Sequence, residues 1–196
     1  AVKRSVWALR FVKNQTEAMC LEALKQDALT LEFVKNQTEA MCLNAIRRGP
    51  PIILSFVKNQ TEEMCFEAVK RDGIALYAVK NQTPEICLVA VKRSGRALEY
   101  VKNQTEEICL VAIKEDWRAL QFVNKQTFEI CSKAIELNGE ALRYVIDKTP
   151  FISIENVKKN GYSIRYIENP THALCLEAVK QNGLALEFVK KQTDEM

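Results

Sequence analysis

Seven cysteines, Cys20, Cys42, Cys65, Cys87, Cys109, Cys131 and Cys175, recur at the same place in a block of about 22 residues. Thiols in register could hold a ladder of metal ions, pair as disulfides or act as nucleophiles. The period argues against all three. If each cysteine belongs to its own helix in a stack, neighbouring Cα atoms stand about 8–10 Å apart. That exceeds the roughly 7 Å reach of a disulfide, and it cannot gather four sulfurs around zinc. The cysteines are therefore expected as small buried core residues, and seven unpaired thiols point to a reducing compartment, not a secreted protein.

Other columns of the block carry charge, amides and rings. Counting Ala1 as position 1, position 13 is lysine in six copies, Lys13, Lys35, Lys58, Lys80, Lys102 and Lys190. Such a row of ammonium groups could track a phosphate backbone, and these six form the candidate interaction stripe. Position 3 is also basic in most copies, but acids such as Glu22 beside Lys25 and Glu67 beside Lys70 stand at i,i+3 spacing and neutralise much of it. Asn-Gln-Thr, formally an N-glycosylation acceptor, recurs intact from Asn14, Asn36, Asn59, Asn81 and Asn103. Free thiols disfavour secretion, so the amides are read as structural, with a ladder of hydrogen bonds between successive Asn or Gln side chains. Position 11 is aromatic in eight copies, from Phe11 to Phe188, with Ala78 the exception. Base stacking is one use for such rings, but this column shares an apolar stripe with leucine at 9 and valine at 12 and is assigned to the core.

Catalysis finds no constellation. His172 is the lone histidine, the carboxylates recur at helix starts, and there is no glycine-rich phosphate loop. The reading is a non-enzyme with no cofactor, no metal and no small-molecule substrate.

The columns must be positioned by helices. Copies begin at Ala1, Ala23, Ala45, Ala68, Ala90, Ala112, Ala134, Asn156 and Ala178, with one extra residue in the third. Position 16 is threonine in all nine, followed in seven of them by an acid or proline, ahead of an apolar run. That is an N-cap signature, and Pro84 and Pro150 take the first helical position, where proline is tolerated. The helix runs through positions 19, 20, 1 and 2, which share one face, and ends at Asp-Gly, Ser-Gly or Asn-Gly, as in Asp72-Gly73 and Asn160-Gly161. Glycine there is expected as a left-handed stop. Positions 8, 9 and 12 then make a short second helix. No single hairpin of this size can bury its apolar face, so neighbours must supply the core. The fold class is all-α, an α-solenoid of about nine 22-residue helix-turn-helix repeats. Residues 1–196 form a single helical-repeat array, and both ends fall inside a copy, as expected of a fragment of a longer protein. Gly49-Pro50-Pro51 should remodel the third turn. Copies seven and eight exchange Asn-Gln for Asp147-Lys148 and Asn169-Pro170, which is drift and not a domain boundary.

The chain carries 47% hydrophobic and 27% charged residues and a formal charge of +3, too balanced to name a partner class. No run approaches the roughly 20 apolar residues needed to span a bilayer, so no membrane partner is expected. The strings from Val57 to Ala68, Val79 to Ala90 and Val101 to Ala112 resemble a short repeat family of unknown function, found in long arrays in giant DNA viruses of amoebae and in some intracellular bacteria. The resemblance implies an all-helical array, a viral origin and a location in host cytoplasm or virion. It implies no activity. Three functions follow in order: a protein-interaction scaffold; a structural component of a giant-virus particle or other large assembly; and nucleic-acid binding through the lysine stripe. The partners are accordingly proteins, with nucleic acid the less favoured choice.

Overall fold

The computed structural model describes residues 6–148, 151 and 154–193, in two compact units, residues 1–103 and 104–196. Thr149 and Pro150 lie outside the described residues. Helices α1 (Glu17–Gln26), α2 (Glu39–Arg48), α4 (Glu62–Arg71), α5 (Pro84–Arg93), α6 (Glu106–Glu115), α7 (Phe128–Leu137) and α9 (His172–Gln181) each begin one residue after a threonine. That threonine is extended, with Thr61 at φ −90° and ψ 160°, and its Oγ1 accepts from the amide of position 19, as Met64 N donates to Thr61 at 3.3 Å. One of the four unpaired amides of the first turn is thereby satisfied. Two short α-helices complete the set, α3 (Ile53–Phe56) and α8 (Ile154–Lys159).

The helix stop differs from the sequence expectation. No described residue, glycine included, has positive φ. The helix ends because position 5 turns extended, with Asp72 at φ −146° and ψ 115°, while its amide still closes the last turn onto Ala68 O at 3.0 Å. The Asp72 carboxylate then caps the next element by accepting from Ile74 N at 2.9 Å. Asp27, Asp116, Asn138, Asn160 and Asn182 do the same. Aspartate and asparagine thus mark the start of the second helix more than the end of the first. Glycine at position 6 answers to space. A Cβ on Gly73 would lie 2.2 Å from the carbonyl oxygen of Ala90 in the next hairpin, and one on Gly161 would lie 2.4 Å from that of Ala178.

The second helix is a 3-10 helix of six residues, as in Gly73–Ala78 and Trp117–Phe122. It closes when the position 12 amide bonds the position 9 carbonyl, at 3.1 Å for Val79 and Leu76. In the third copy the turn is rebuilt as expected. Proline has no N–H to give, so Ile53 N reaches back to Pro50 O at 3.0 Å, and a single α-turn, α3, replaces the 3-10 helix.

Within the first unit α1, α2, α4 and α5 pack in succession. Within the second, α6 packs on α7 and α8 on α9, and the 3-10 helices of residues 117–122, 139–144, 161–166 and 183–188 form a continuous row. Each unit is an all-α solenoid of hairpins. The greasy columns meet inside it. Leu31, Leu54, Leu76, Leu98 and Leu120 at position 9 are fully buried, with Val34, Val57, Val79 and Val101 at position 12 beside them. Positions 19, 20, 1 and 2 supply the helical face, for example Met64, Cys65, Ala68 and Val69. The position 11 rings sit at the rim instead of the centre. Phe33, Phe56, Tyr100, Phe122 and Tyr144 are half-buried and Phe11 is 76% exposed. Several lean on a ring of the preceding copy, as Phe33 does on Trp7 at 5.7 Å between centroids and Tyr144 on Trp117 at 6.0 Å.

Candidate functional site

The loop joining each 3-10 helix to the next α-helix carries Lys-Asn-Gln-Thr at positions 13–16, and each member has a different fate. Glutamine turns inward. Gln60 Nε2 donates to Leu54 O of its own copy at 2.9 Å and to Ala78 O of the next at 2.8 Å. Its Oε1 accepts from Lys80 N at 3.0 Å and from the Cys65 thiol at 3.7 Å. Gln15, Gln37 and Gln82 repeat these bonds in the first unit, and Gln126 does so in the second. The expected ladder of bonds between successive Asn or Gln side chains is not found among the described residues; the rungs run from glutamine to backbone instead. Sequence reasoning missed this role for position 15, though a polar residue kept beside the capping threonine through six consecutive copies was the available signal.

The cysteines are buried, as the sequence suggested, and all seven are free thiols. Burial pushes each thiol above its ordinary value. The sulfur keeps its proton and can offer it to glutamine, as at Cys20–Gln15 (3.8 Å) and Cys131–Gln126 (3.6 Å). These are weak donors with a fixed partner.

The lysine stripe divides between the units. Lys13, Lys35, Lys58, Lys80 and Lys102 are exposed in the first. Their ammonium groups fold back along the stack: Lys35 Nζ donates to Lys13 O at 2.9 Å, Lys58 to Lys35 O at 2.6 Å, Lys80 to Lys58 O at 2.9 Å and Lys102 to Lys80 O at 3.0 Å. Lys190 belongs to the second unit, where Asn124, Ile146 and Glu168 occupy the same column. A parallel row of cations lies at the helix ends. Arg48 Nη2 donates to Lys25 O at 2.8 Å, Arg71 to Arg47 O, and Arg93 Nε to Arg71 O at 3.3 Å. Each places positive charge at the negative end of a helix dipole. Position 3 forms pairs within and between helices, Lys180 with Glu177 at 3.5 Å and Arg47 with Glu67 at 2.9 Å. The Arg47 hydrogen bond holds the Glu67 carboxyl below its usual value.

Asparagine is left over. Asn14, Asn36, Asn59, Asn81 and Asn103 are exposed, and their carboxamides bond no other described residue. The backbone does not call for asparagine either, since no left-handed residue occurs there. Three of them, Asn36, Asn59 and Asn81, line two similar troughs in the first unit. One, of about 410 Å³, is lined by Lys35, Asn36, Gln37, Thr38, Lys58 and Asn59; the other, of about 370 Å³, by Lys58, Gln60, Thr61, Lys80, Asn81 and Thr83. Glu39 and Glu62 add carboxylates to them. His172 is exposed at the first position of α9, and among the described residues no His, Cys, Asp and Glu side chains group as a metal site. No helix of the described residues is long and apolar enough to cross a membrane.

Residues 105–148 match a family model. It is described as a domain of unknown function, DUF4116. The matched span covers two repeats, opening on the capping Thr105 and closing just before Thr149. No curated protein and no solved structure matches the chain.

Proposed function

We propose that the chain is a non-enzymatic helical-repeat scaffold that binds protein along the loop face of residues 13–103. The observation that carries this is the asparagine column: five exposed carboxamides that neither backbone conformation nor internal hydrogen bonding accounts for. In helical repeat stacks, residues free of packing duty are available to partners, and repetition presents them as an extended surface. Seven buried free thiols support residence in a reducing compartment.

Lysine-directed cross-linking in the native source tests the reading. Cross-links to one recurrent protein should concentrate at Lys35, Lys58, Lys80 and Lys102. Equal labelling of Lys92 and Lys114, on the opposite run of the hairpin, would count against it.

The resemblance to arrays of giant amoeba viruses favours a second reading, a structural component of a virus particle or another large assembly; stoichiometric recovery of the chain with purified particles would distinguish it. Nucleic-acid binding through the lysines is the weaker reading, because carboxylates of Glu39 and Glu62 share the troughs and the ammonium groups already bond carbonyls. It predicts affinity for single-stranded oligonucleotides that falls steeply with salt.

A further inference from the structure

We infer that Asn36, Asn59 and Asn81 form a ladder of carboxamides that binds the backbone of a partner peptide in the polyproline II conformation, with Asn14 and Asn103 extending it. This rests on the loop face being protein-binding and names what that face would recognise.

A carboxamide offers one acceptor and two donors, the complement of a peptide unit with its one N–H and one C=O. Three such groups stand free on consecutive copies, and the troughs beside them are open to solvent. The spacing selects the conformation of the ligand. Packed helices repeat at about 8–10 Å. A polyproline II strand turns once in three residues at about 3.1 Å each, so it returns the same backbone face every 9.3 Å or so. A β-strand repeats its face about every 6.7 Å and an α-helix about every 5.4 Å; neither keeps step with the stack. Polyproline II also leaves its backbone groups without internal partners, free to meet the ladder.

Charge agrees with a peptide over a polyphosphate. Lys35, Lys58 and Lys80 stand among Glu39 and Glu62, so the troughs hold both signs. Each of the lysines spends part of its hydrogen-bonding capacity on carbonyls of the copy before it. A mixed lining suits a neutral backbone, whereas a nucleic acid would meet a carboxylate in each trough.

The test uses the whole 196-residue chain and a displayed library of random peptides about ten residues long, enough to cross three copies at the polyproline II rise. Bound peptides are then measured against the wild type and a triple variant, Asn36→Ala, Asn59→Ala and Asn81→Ala. These side chains are exposed, so thermal unfolding should be unchanged, which the same preparations confirm. Affinity should fall roughly tenfold or more in the triple variant, the loss of one to three hydrogen bonds. Methylation of backbone nitrogens in the selected peptide should abolish binding at every third residue and be tolerated between. Peptides that bind the triple variant as tightly as the wild type overturn the ladder while leaving the scaffold standing. Failure to select any peptide also overturns it, and the cross-linking experiment then decides the scaffold separately. Binding of an RNA homopolymer that is lost in the triple variant, with no peptide bound, overturns it in favour of nucleic acid.

Discussion

Gln60 shows how much one side chain settles. It pairs three main-chain groups from two copies and orients a thiol. Leucine in its place fills similar space and strands those three groups; leaving half-buried polar groups unpaired costs about 1–3 kcal/mol each, so Gln60→Leu is expected to lower stability by about 3 kcal/mol or more, read as a reduced urea midpoint. Glycine gives a paired test. At Gly73 an added methyl meets the Ala90 carbonyl, but at Gly183 it meets nothing within 4 Å. Gly73→Ala should destabilise by about 1–3 kcal/mol, whereas Gly183→Ala should stabilise by about 0.4–1 kcal/mol, by restricting the unfolded chain. The cysteines make stability depend on alkaline pH. Each folded thiol titrates above its unfolded value because of burial. The contribution is complete below the unfolded value of about 8.5. As pH rises past that point the unfolded state sheds protons the folded state retains, so stability declines through the folded values. A Tm that falls above about pH 8.5, and falls less in Cys65→Ala, is the expected record.

At the scale of elements, the copies that break the pattern show what the glutamine was holding. Between the seventh and eighth copies Lys148 stands at position 15, and its ammonium bonds Val145 O within its own copy at 2.7 Å. That junction is held by Glu140, which accepts from Tyr166 Oη at 2.7 Å and pairs with Arg165. Between the eighth and ninth, where Pro170 occupies the position, Gln181 Oε1 takes the Gly161 amide at 2.7 Å. The substitutes clamp a different edge. Amide exchange should therefore be slow at Lys80 and Lys102, whose N–H groups are tied to glutamine, and faster at the equivalent Glu168 and Lys190, while the Gly161 amide is protected. Equal protection at all four position 13 amides would contradict this role of the glutamine. The helix starts, the buried faces and the rebuilt Gly-Pro-Pro turn were readable from residue types, because capping and burial are local or periodic. The 3-10 geometry and the non-left-handed glycines were not, because both depend on how closely the next hairpin approaches.

Each unit as a whole is a chain of nearest-neighbour interfaces: α1 on α2, α2 on α4, α4 on α5 in the first, and α6 on α7, α8 on α9 in the second. Stability in such a stack is a sum over junctions, and damage should stay near its source. Gly73→Ala sits between α4 and α5. Exchange measured by mass spectrometry should accelerate most in these two helices and least in α1; uniform acceleration across residues 6–103 would show that the unit unfolds only as one body. The loop face follows the same arithmetic, since its lysines and asparagines recur once per junction and none is replaced before Asn124.

Period, capping and hydrophobic patterning settled the all-α class, the copy boundaries and the buried columns other than the aromatic position 11, because these depend on residues within a helix turn or a full repeat of one another. What lay beyond sequence was the division of labour inside Lys-Asn-Gln-Thr. Four adjacent polar residues look alike on the page, and only packing decides which one turns inward. Its own copy offers position 15 one carbonyl and the next copy a carbonyl and an amide, so glutamine joins the structure while asparagine stays exposed.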